Sequence, residues 1–331
     1  MKRECRPFQC SVAGFLREFI RYHRALGKRF DTEERALQMF DRYLLEQKVQ
    51  QLADITPALL QAFLNSRSRP IPKSYNHLLG VLRRWCNWLV HHEHLADSPL
   101  RERPRRLTGT RTPFLFNPIQ VRRLLAVAGQ LSDNNFGRQR GLIYSTIFAL
   151  LYGLGLRVGE VTRLRFQDVD WDRCILIIKD TKFAKSRLVP FGPKVAAKLR
   201  DYRQQRELLR GPFIEHDPLF SFDPEKTRTI HPGTISQTFH HLWPRLDIVL
   251  PDGVTPPRLH CLRHSFAVGT LLAWYRAGIN PSERLVQLST FMGHVNPSST
   301  AVYLTITADL FQEANLRFQR FAGPLLQEVA L

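Results

Sequence analysis

The chain has 331 residues, 44% of them hydrophobic, and carries 48 Lys+Arg against 29 Asp+Glu, a net charge of +19. That length holds two domains of ordinary size, and so basic a chain draws polyanions, nucleic acid first and anionic membrane surfaces less often. No apolar run is long enough to span a bilayer, the opening "MKRECRPFQC" lacks the apolar stretch of a secretory signal, and the five cysteines (Cys5, Cys10, Cys86, Cys174, Cys261) are scattered without a C-x-x-C pair, which argues against a disulfide framework or a Cys-rich zinc site and for a reducing cytoplasm.

Residues 1–100 read as a small helical bundle. Val12, Phe15, Phe19 and Leu26 recur at helical spacing before Gly27. Asp31 and Glu34 have capping-box spacing ahead of Leu37, Phe40 and Leu44 on one face. Thr56 and Pro57 have the form of an N-cap and first helical residue, and a further helix over about 74–94 carries Leu78, Leu82, Trp85 and Leu89. Then the composition shifts: residues 101–113, "RERPRRLTGTRTP", have no apolar periodicity and read as a basic linker. Arg101, Arg103, Arg105, Arg106 and Arg111 are candidates to lie along a phosphate backbone, or form a merely solvated spacer.

Residues 114–331 read as mostly helical. "LIYSTIFALLYGLGL" is apolar nearly all round, a buried helix ending near Gly153 and Gly155. "CILIIK" and "RLVPF" form a β-hairpin candidate across "DTKFAKS". The fold expected is mainly α with a small antiparallel β-sheet.

Arg157, in "GLGLRVGEVTRL", needs an anionic partner against so apolar a segment. Glu160, three residues on, can serve as that partner on one helical face, either as a plain ion pair or as the group that aims Arg157 at a phosphate oxygen. In "RLHCLRHSF", His260 and Arg263 share a face by i,i+3 spacing and suit an anion. His260 and His264 have the i,i+4 spacing of a zinc-protease pair, but Cys261 stands where the general base is needed and no third ligand is evident. Lys182 and Lys185 lie at the hairpin tip, either as solubilising charges or as proton donors to a leaving oxygen. In "FMGHVNPSSTAVYL", Gly293 is placed to end a helix over about 283–292 and to expose His294. Asn296-Pro297 is placed to start a new helix, with Tyr303 two turns in, where nearby cations favour its phenolate.

These segments, in this order, resemble the tyrosine recombinase (phage integrase) family. "GLRVGE" matches its arginine segment at Arg157 and Glu160. "TKFAKSRLVP" matches its hairpin lysine at Lys182 rather than Lys185. "HCLRH" matches its H-x-x-R-H motif at His260 and Arg263, and "MGHVNPSSTAVY" its L-G-H motif and tyrosine at His294 and Tyr303. The match runs over about 117–320, with Met292 where a leucine is usual and a long segment between "HCLRH" and "MGH".

The resemblance implies a helical core-binding domain over 1–100, the basic linker, and a catalytic domain over 114–331 with a C-terminal helix, packed on its own domain or docked into a neighbouring subunit. It implies that Tyr303 attacks a DNA phosphate to give a 3′-phosphotyrosine, that Arg157 and Arg263 hold the non-bridging oxygens, and that Lys182 protonates the leaving oxygen. His260 would act in proton transfer at the nucleophile, and His294 would hydrogen-bond the phosphate. No cofactor, metal or ATP is implied. The partners implied are double-stranded DNA recombination sites, with a homotetramer on two sites, nucleoid-associated in the cytoplasm and away from membranes. A type IB topoisomerase, or a DNA-binding factor that kept the fold without the chemistry, are the rival readings.

Overall fold

The computed structural model describes residues 7–67, 69–106, 113–135, 137–179, 186–223, 225, 228–294, 296–305 and 312. The chain divides into two compact units, Met1–Thr110 and Arg111–Leu331.

Apolar residues at helical spacing build the first unit. Helices α1 (Ala13–Ala25), α2 (Asp31–Glu46), α3 (Pro57–Ser66) and α4 (Pro72–His91) bury Leu16, Phe19, Leu37, Phe40, Phe63 and Trp85 in one core. Thr56 accepts the backbone N–H of Leu59 and Pro57 opens α3, as its sequence predicts. The start of α2 differs. Phe30, at φ 58°, takes the cap position and no capping box forms, because the Phe30 ring is buried between His23 and Phe19, which outweighs a surface cap. Asp31 and Glu34 instead pair with Arg24. Leu26 falls past the end of α1 and is 57% exposed, off the apolar stripe. Residues 102–105 run along α4: Arg83 donates to the Glu102 carbonyl at 2.6 Å, and Asn76 exchanges two hydrogen bonds with the Arg105 backbone at 2.7 and 2.8 Å.

In the second unit, α5 (Pro118–Gly129) starts at a capping box of Asn117 and Gln120. The buried helix α6 (Arg140–Gly153) follows, packed against α5 and against α8 (Pro193–Arg210) and α10 (Cys261–Arg276). A short helix α7 (Val158–Val161) leads into a three-stranded antiparallel sheet of β1 (Val169–Asp170), β2 (Ile175–Ile178) and β3 (Arg187–Pro190), in that order. Leu176 pairs with both Val169 and Val189, and Ile178 pairs with Arg187. The hairpin follows the sequence reading; β1 is too short to show a period. Helices α9 (Pro232–Leu242), α11 (Pro281–Met292) and α12 (Ser298–Ala301) complete the described α-helices. The expected class, mainly α with a small antiparallel sheet, is the one observed. No helix among the described residues is long and apolar enough to cross a membrane.

Candidate active site

The chain leaves α6 through Gly155, whose φ of +57° and close approach to Phe266 (2.4 Å from a would-be Cβ) exclude a side chain. That turn delivers Arg157 to the N-cap of α7, rather than onto the helix itself. The i,i+3 partner is reached all the same: Arg157 Nη1 lies 2.8 Å from Glu160 Oε1, and its backbone N–H donates to Oε2. Glu160 also takes a second guanidinium. Arg187, from β3, donates Nη1 and Nη2 to the two carboxylate oxygens, each at 2.9 Å. Burial works to raise the Glu160 pKa, but the hydrogen bonds and charge of Arg187, with those of Arg157, hold it at about 2.

The last turn of α11 gathers the arginines. Its final carbonyls have no intrahelical partner and carry the negative end of the helix dipole. Phe291 O accepts Arg187 Nε at 2.8 Å, Met292 O accepts Arg263 Nη2 at 2.8 Å, and Gly293 O accepts Arg157 Nη2 at 2.9 Å. Gly293, at φ +68°, ends the helix as its sequence predicts. Arg263 is 1% exposed and also donates to the Gly155 carbonyl, while its Nε has no partner among the described residues. Burial, then the neighbouring Arg157, lower its pKa to about 10, so the guanidinium stays charged at neutral pH.

His294 lies against Arg263 rather than standing exposed. Arg263 Nη2 is 2.9 Å from its Nε2, and Thr300 Oγ1 is 2.7 Å from its Nδ1. A guanidinium has no acceptor, so Nε2 accepts and Nδ1–H donates to Thr300. Burial, then Arg263 and Arg157, lower the His294 pKa to about 4. His260 sits at the start of α10 with a solvent-exposed edge, and its ring meets that of His264 edge-on at 4.6 Å. Its partial enclosure, then His264 and Arg263, lower its pKa to about 4; the exposed edge moderates that shift without reversing its direction.

Tyr303 is 4% exposed, its ring packed with Ala267, Val268, Leu271, Leu288 and Met292. It lies in a 3₁₀ turn, 302–305, after the short α12, rather than two turns along one helix. Asn296 Oδ1 accepts the Ser298 N–H at 3.0 Å ahead of α12. The Tyr303 hydroxyl shares a 2.9 Å hydrogen bond with His264 Nδ1. The expected phenolate is corrected here: burial raises the Tyr303 pKa and outweighs the opposing pull of Arg263 and Arg157.

Arg157, Glu160, Arg263, His294, His260 and Tyr303 thus belong to one neighbourhood. Lys182, Lys185 and Arg111 lie outside the described residues, as does the C-terminal segment 308–331 apart from Gln312. Arg101 pairs with Asp97 at 2.7 Å, and Arg105 stacks on Tyr75 at 3.9 Å, both within the first unit. Arg103 and Arg106 are exposed, with no ion pair among the described residues. Arg187 and Thr300 are participants that the motif reading did not single out, and His264, weighed there only as half of a zinc pair, is a third; a lone cation in the strand "RLVP" and the i,i+4 spacing from His260 were the available signals. Among the described residues, no three His, Cys, Asp or Glu side chains cluster as metal ligands would.

Comparison with known proteins bears on this cluster. The model of the phage integrase family matches residues 116–309. A Sinorhizobium fredii protein assigned by name to the integrases/recombinases, y4rB, is 32% identical over 310 residues, covering 92% of this chain and 96% of its own length. The tyrosine recombinase XerA of Thermococcus kodakarensis is 28% identical over 242 residues, 73% of this chain and 74% of that one. A solved fragment of the Tn1549 transposon integrase, in complex with a circular intermediate DNA, covers 94% of this chain and 100% of its own at a TM-score of 0.66 and 18% identity, a likeness of fold. With the family match spanning more than half of the chain and enclosing the arginine cluster, His294 and Tyr303, the chain belongs to the phage integrase family of tyrosine recombinases.

Proposed function

We propose that this tyrosine recombinase, a DNA breaking and rejoining enzyme, works through a 3′-phosphotyrosine intermediate on Tyr303 and requires neither ATP nor metal. The observation that carries the reading is the buried, charged Arg263, with Nε unused, beside Arg157, His294 and a tyrosine. A buried guanidinium with a donor to spare suits an anion, and a phosphodiester is the anion such a basic chain meets.

In this reading Tyr303 Oη attacks phosphorus, the P–O5′ bond breaks, and a 5′-hydroxyl leaves. Arg157 and Arg263 hold the non-bridging oxygens and stabilise the charge of the transition state. Lys182 gives its proton to the leaving oxygen, and His260 handles the proton at the nucleophile. A phosphate oxygen that draws Arg263 Nη2 away would free His294 Nε2 and favour its protonation, so that His294 donates to the phosphate. The phosphotyrosine conserves the energy of the broken bond, and the 5′-hydroxyl reverses the step on the same or another strand. The partners are double-stranded recombination sites, held in part by Arg101, Arg103, Arg105, Arg106, Arg111 and Lys185, with a homotetramer on two sites.

The test begins with recovery of the bound site from a random duplex library. A nicked duplex carrying that site is then incubated with the protein in EDTA and run on a denaturing gel. A covalent adduct that disappears in Tyr303→Phe is expected. No adduct on the recovered site overturns the catalytic reading in favour of a DNA-binding factor, and an adduct that persists in Tyr303→Phe moves the nucleophile elsewhere. Relaxation of unrelated plasmid by a monomer is the topoisomerase outcome.

A further inference from the structure

His264 follows Arg263 directly and lies one turn beyond His260 on α10. Its ring stands between the rim of the site and the tyrosine, 4.6 Å from the His260 ring and 5.5 Å from that of Tyr303. Its Nδ1, 2.9 Å away, is the hydrogen-bond partner of the Tyr303 hydroxyl among the described residues.

Two polarities are possible for that bond, and they differ in cost. A phenol hydroxyl holds one hydrogen and two lone pairs. If Nδ1 carried a proton and donated, the phenol hydrogen would be buried in the 4%-exposed Tyr303 with no acceptor among the described residues. Leaving a buried donor unsatisfied costs about 1–3 kcal/mol. If Nδ1 accepts, the hydroxyl is satisfied and its lone pairs stay free. Burial and the adjacent Arg263 lower the His264 pKa, which keeps the ring neutral and one nitrogen available as an acceptor.

We propose that His264 is the positioning residue for the attacking oxygen: its Nδ1 accepts the single hydrogen of the Tyr303 hydroxyl and leaves the oxygen's lone pairs for phosphorus. As the O–P bond forms, Nδ1 takes that proton while Nε2–H is released toward His260, whose ring is 4.6 Å away. The inference rests on Tyr303 being the nucleophile. It gives a role to a histidine that the motif match leaves unassigned, and it requires the tautomer with the proton on Nε2. The bond also holds the phenol neutral and fixed until DNA arrives, so the entropic cost of orienting Oη is met in the folded protein.

The test compares three substitutions under single-turnover conditions, with saturating protein on the nicked duplex described above. His264→Asn sets an amide oxygen near the position of Nδ1; His264→Gln sets its acceptor near that of Nε2; His264→Leu removes the acceptor. Misplacing a reacting atom by about 1 Å costs on the order of 100-fold, so the Leu and Gln variants are expected to cleave about that much more slowly at unchanged DNA affinity, with Asn recovering most of the rate. The second readout is the fluorine resonance of 3-fluorotyrosine installed at position 303. It is expected to move in the Leu and Gln variants and to return toward the wild-type position in Asn. Wild-type rates in Leu and Gln, or an Asn variant as slow as Leu, would overturn the proposal. Should Leu fail to fold, Asn faster than Gln supports it, and equal rates overturn it. Tyr303→Phe runs alongside: an adduct in that variant rejects the nucleophile itself, whereas loss of the adduct with wild-type cleavage by His264→Leu rejects only the role of His264.

Discussion

Arg187 and Glu160 meet as a planar fork, two parallel bonds of 2.9 Å between side chains that are 9% and 2% exposed. Glu160 thereby joins three elements. It caps Arg157 at the head of α7, grips β3 through Arg187, and, because Arg187 also donates to Phe291 O, reaches the end of α11. The carboxylate is the hub that fixes where Arg157 points.

Stranding a buried charge by removing its one partner costs about 3–5 kcal/mol. Glu160 would keep Arg157 when Arg187 is lost, so the cost falls toward the lower end, about 3 kcal/mol. Arg187→Ala is therefore expected to lower the unfolding free energy of the second unit by that order and to slow adduct formation. Arg187→Lys keeps the charge but loses the two-point geometry, and should recover less than half of the loss. Urea unfolding and single-turnover cleavage measure both.

Stability should fall with acid in two stages. His294 has its pKa lowered from 6.5 to about 4, so the unfolded chain takes up a proton that the folded ring refuses; its contribution is complete above pH 6.5 and is lost between there and pH 4. Glu160 is lowered from 4.5 to about 2, so its contribution is complete above pH 4.5 and is lost as pH falls toward 2. For so buried a carboxylate that difference corresponds to roughly 3 kcal/mol. Urea titrations from pH 7 to 3 should show Glu160→Gln flattening the lower stage. His294→Gln should flatten only part of the upper one, since His260 and His264 are held neutral as well.

Gly293 is fixed twice over. Its φ of +68° strains any L side chain, and a Cβ there would meet Arg187 Nη1 at 2.7 Å. Gly293→Ala is expected to cost about 1–3 kcal/mol and, by displacing Arg187, to slow cleavage more than it weakens DNA binding. Differential scanning calorimetry with a filter-binding titration separates the two effects.

Arg103, within the anchored backbone of 102–105, and Arg106, just past it, are exposed, whereas Arg101 is tied to Asp97 and Arg105 to Tyr75. Each arginine that contacts a phosphate adds about one to the slope of log affinity against log salt. Arg103→Ala and Arg106→Ala should each reduce that slope by about one. Arg101→Ala should change it less, because its charge is already partnered.

Much of the site was legible because its chemistry is local in sequence. Arg157 with Glu160 is set by three residues of spacing and Gly293 by its place at a helix end, and both form, though Arg157 sits at the N-cap of α7 rather than on its face and His294 turns in against Arg263 rather than out. Three features were not legible, for reasons of tertiary packing. Arg187 looks like an ordinary strand cation until the sheet and α7 bring it to Glu160. Tyr303 has cations around it, which favours a phenolate in solution, but its packing among α10 and α11 residues makes desolvation the larger effect. The capping box at Asp31 is sound locally and gives way to the burial of Phe30.

The carbonyls of Phe291, Met292 and Gly293 receive Arg187, Arg263 and Arg157, and the chain then runs directly to His294 and Tyr303. The oxygen acceptors of the pocket and the tether of the tyrosine are therefore consecutive peptides. Tension on the segment after Gly293 loads all three guanidiniums together. Any pull that draws the tyrosine away, whether from a neighbouring molecule or from heat, is passed to the three guanidiniums through the same peptides. One short stretch of chain thus sets both where the three guanidiniums sit and where the tyrosine is held.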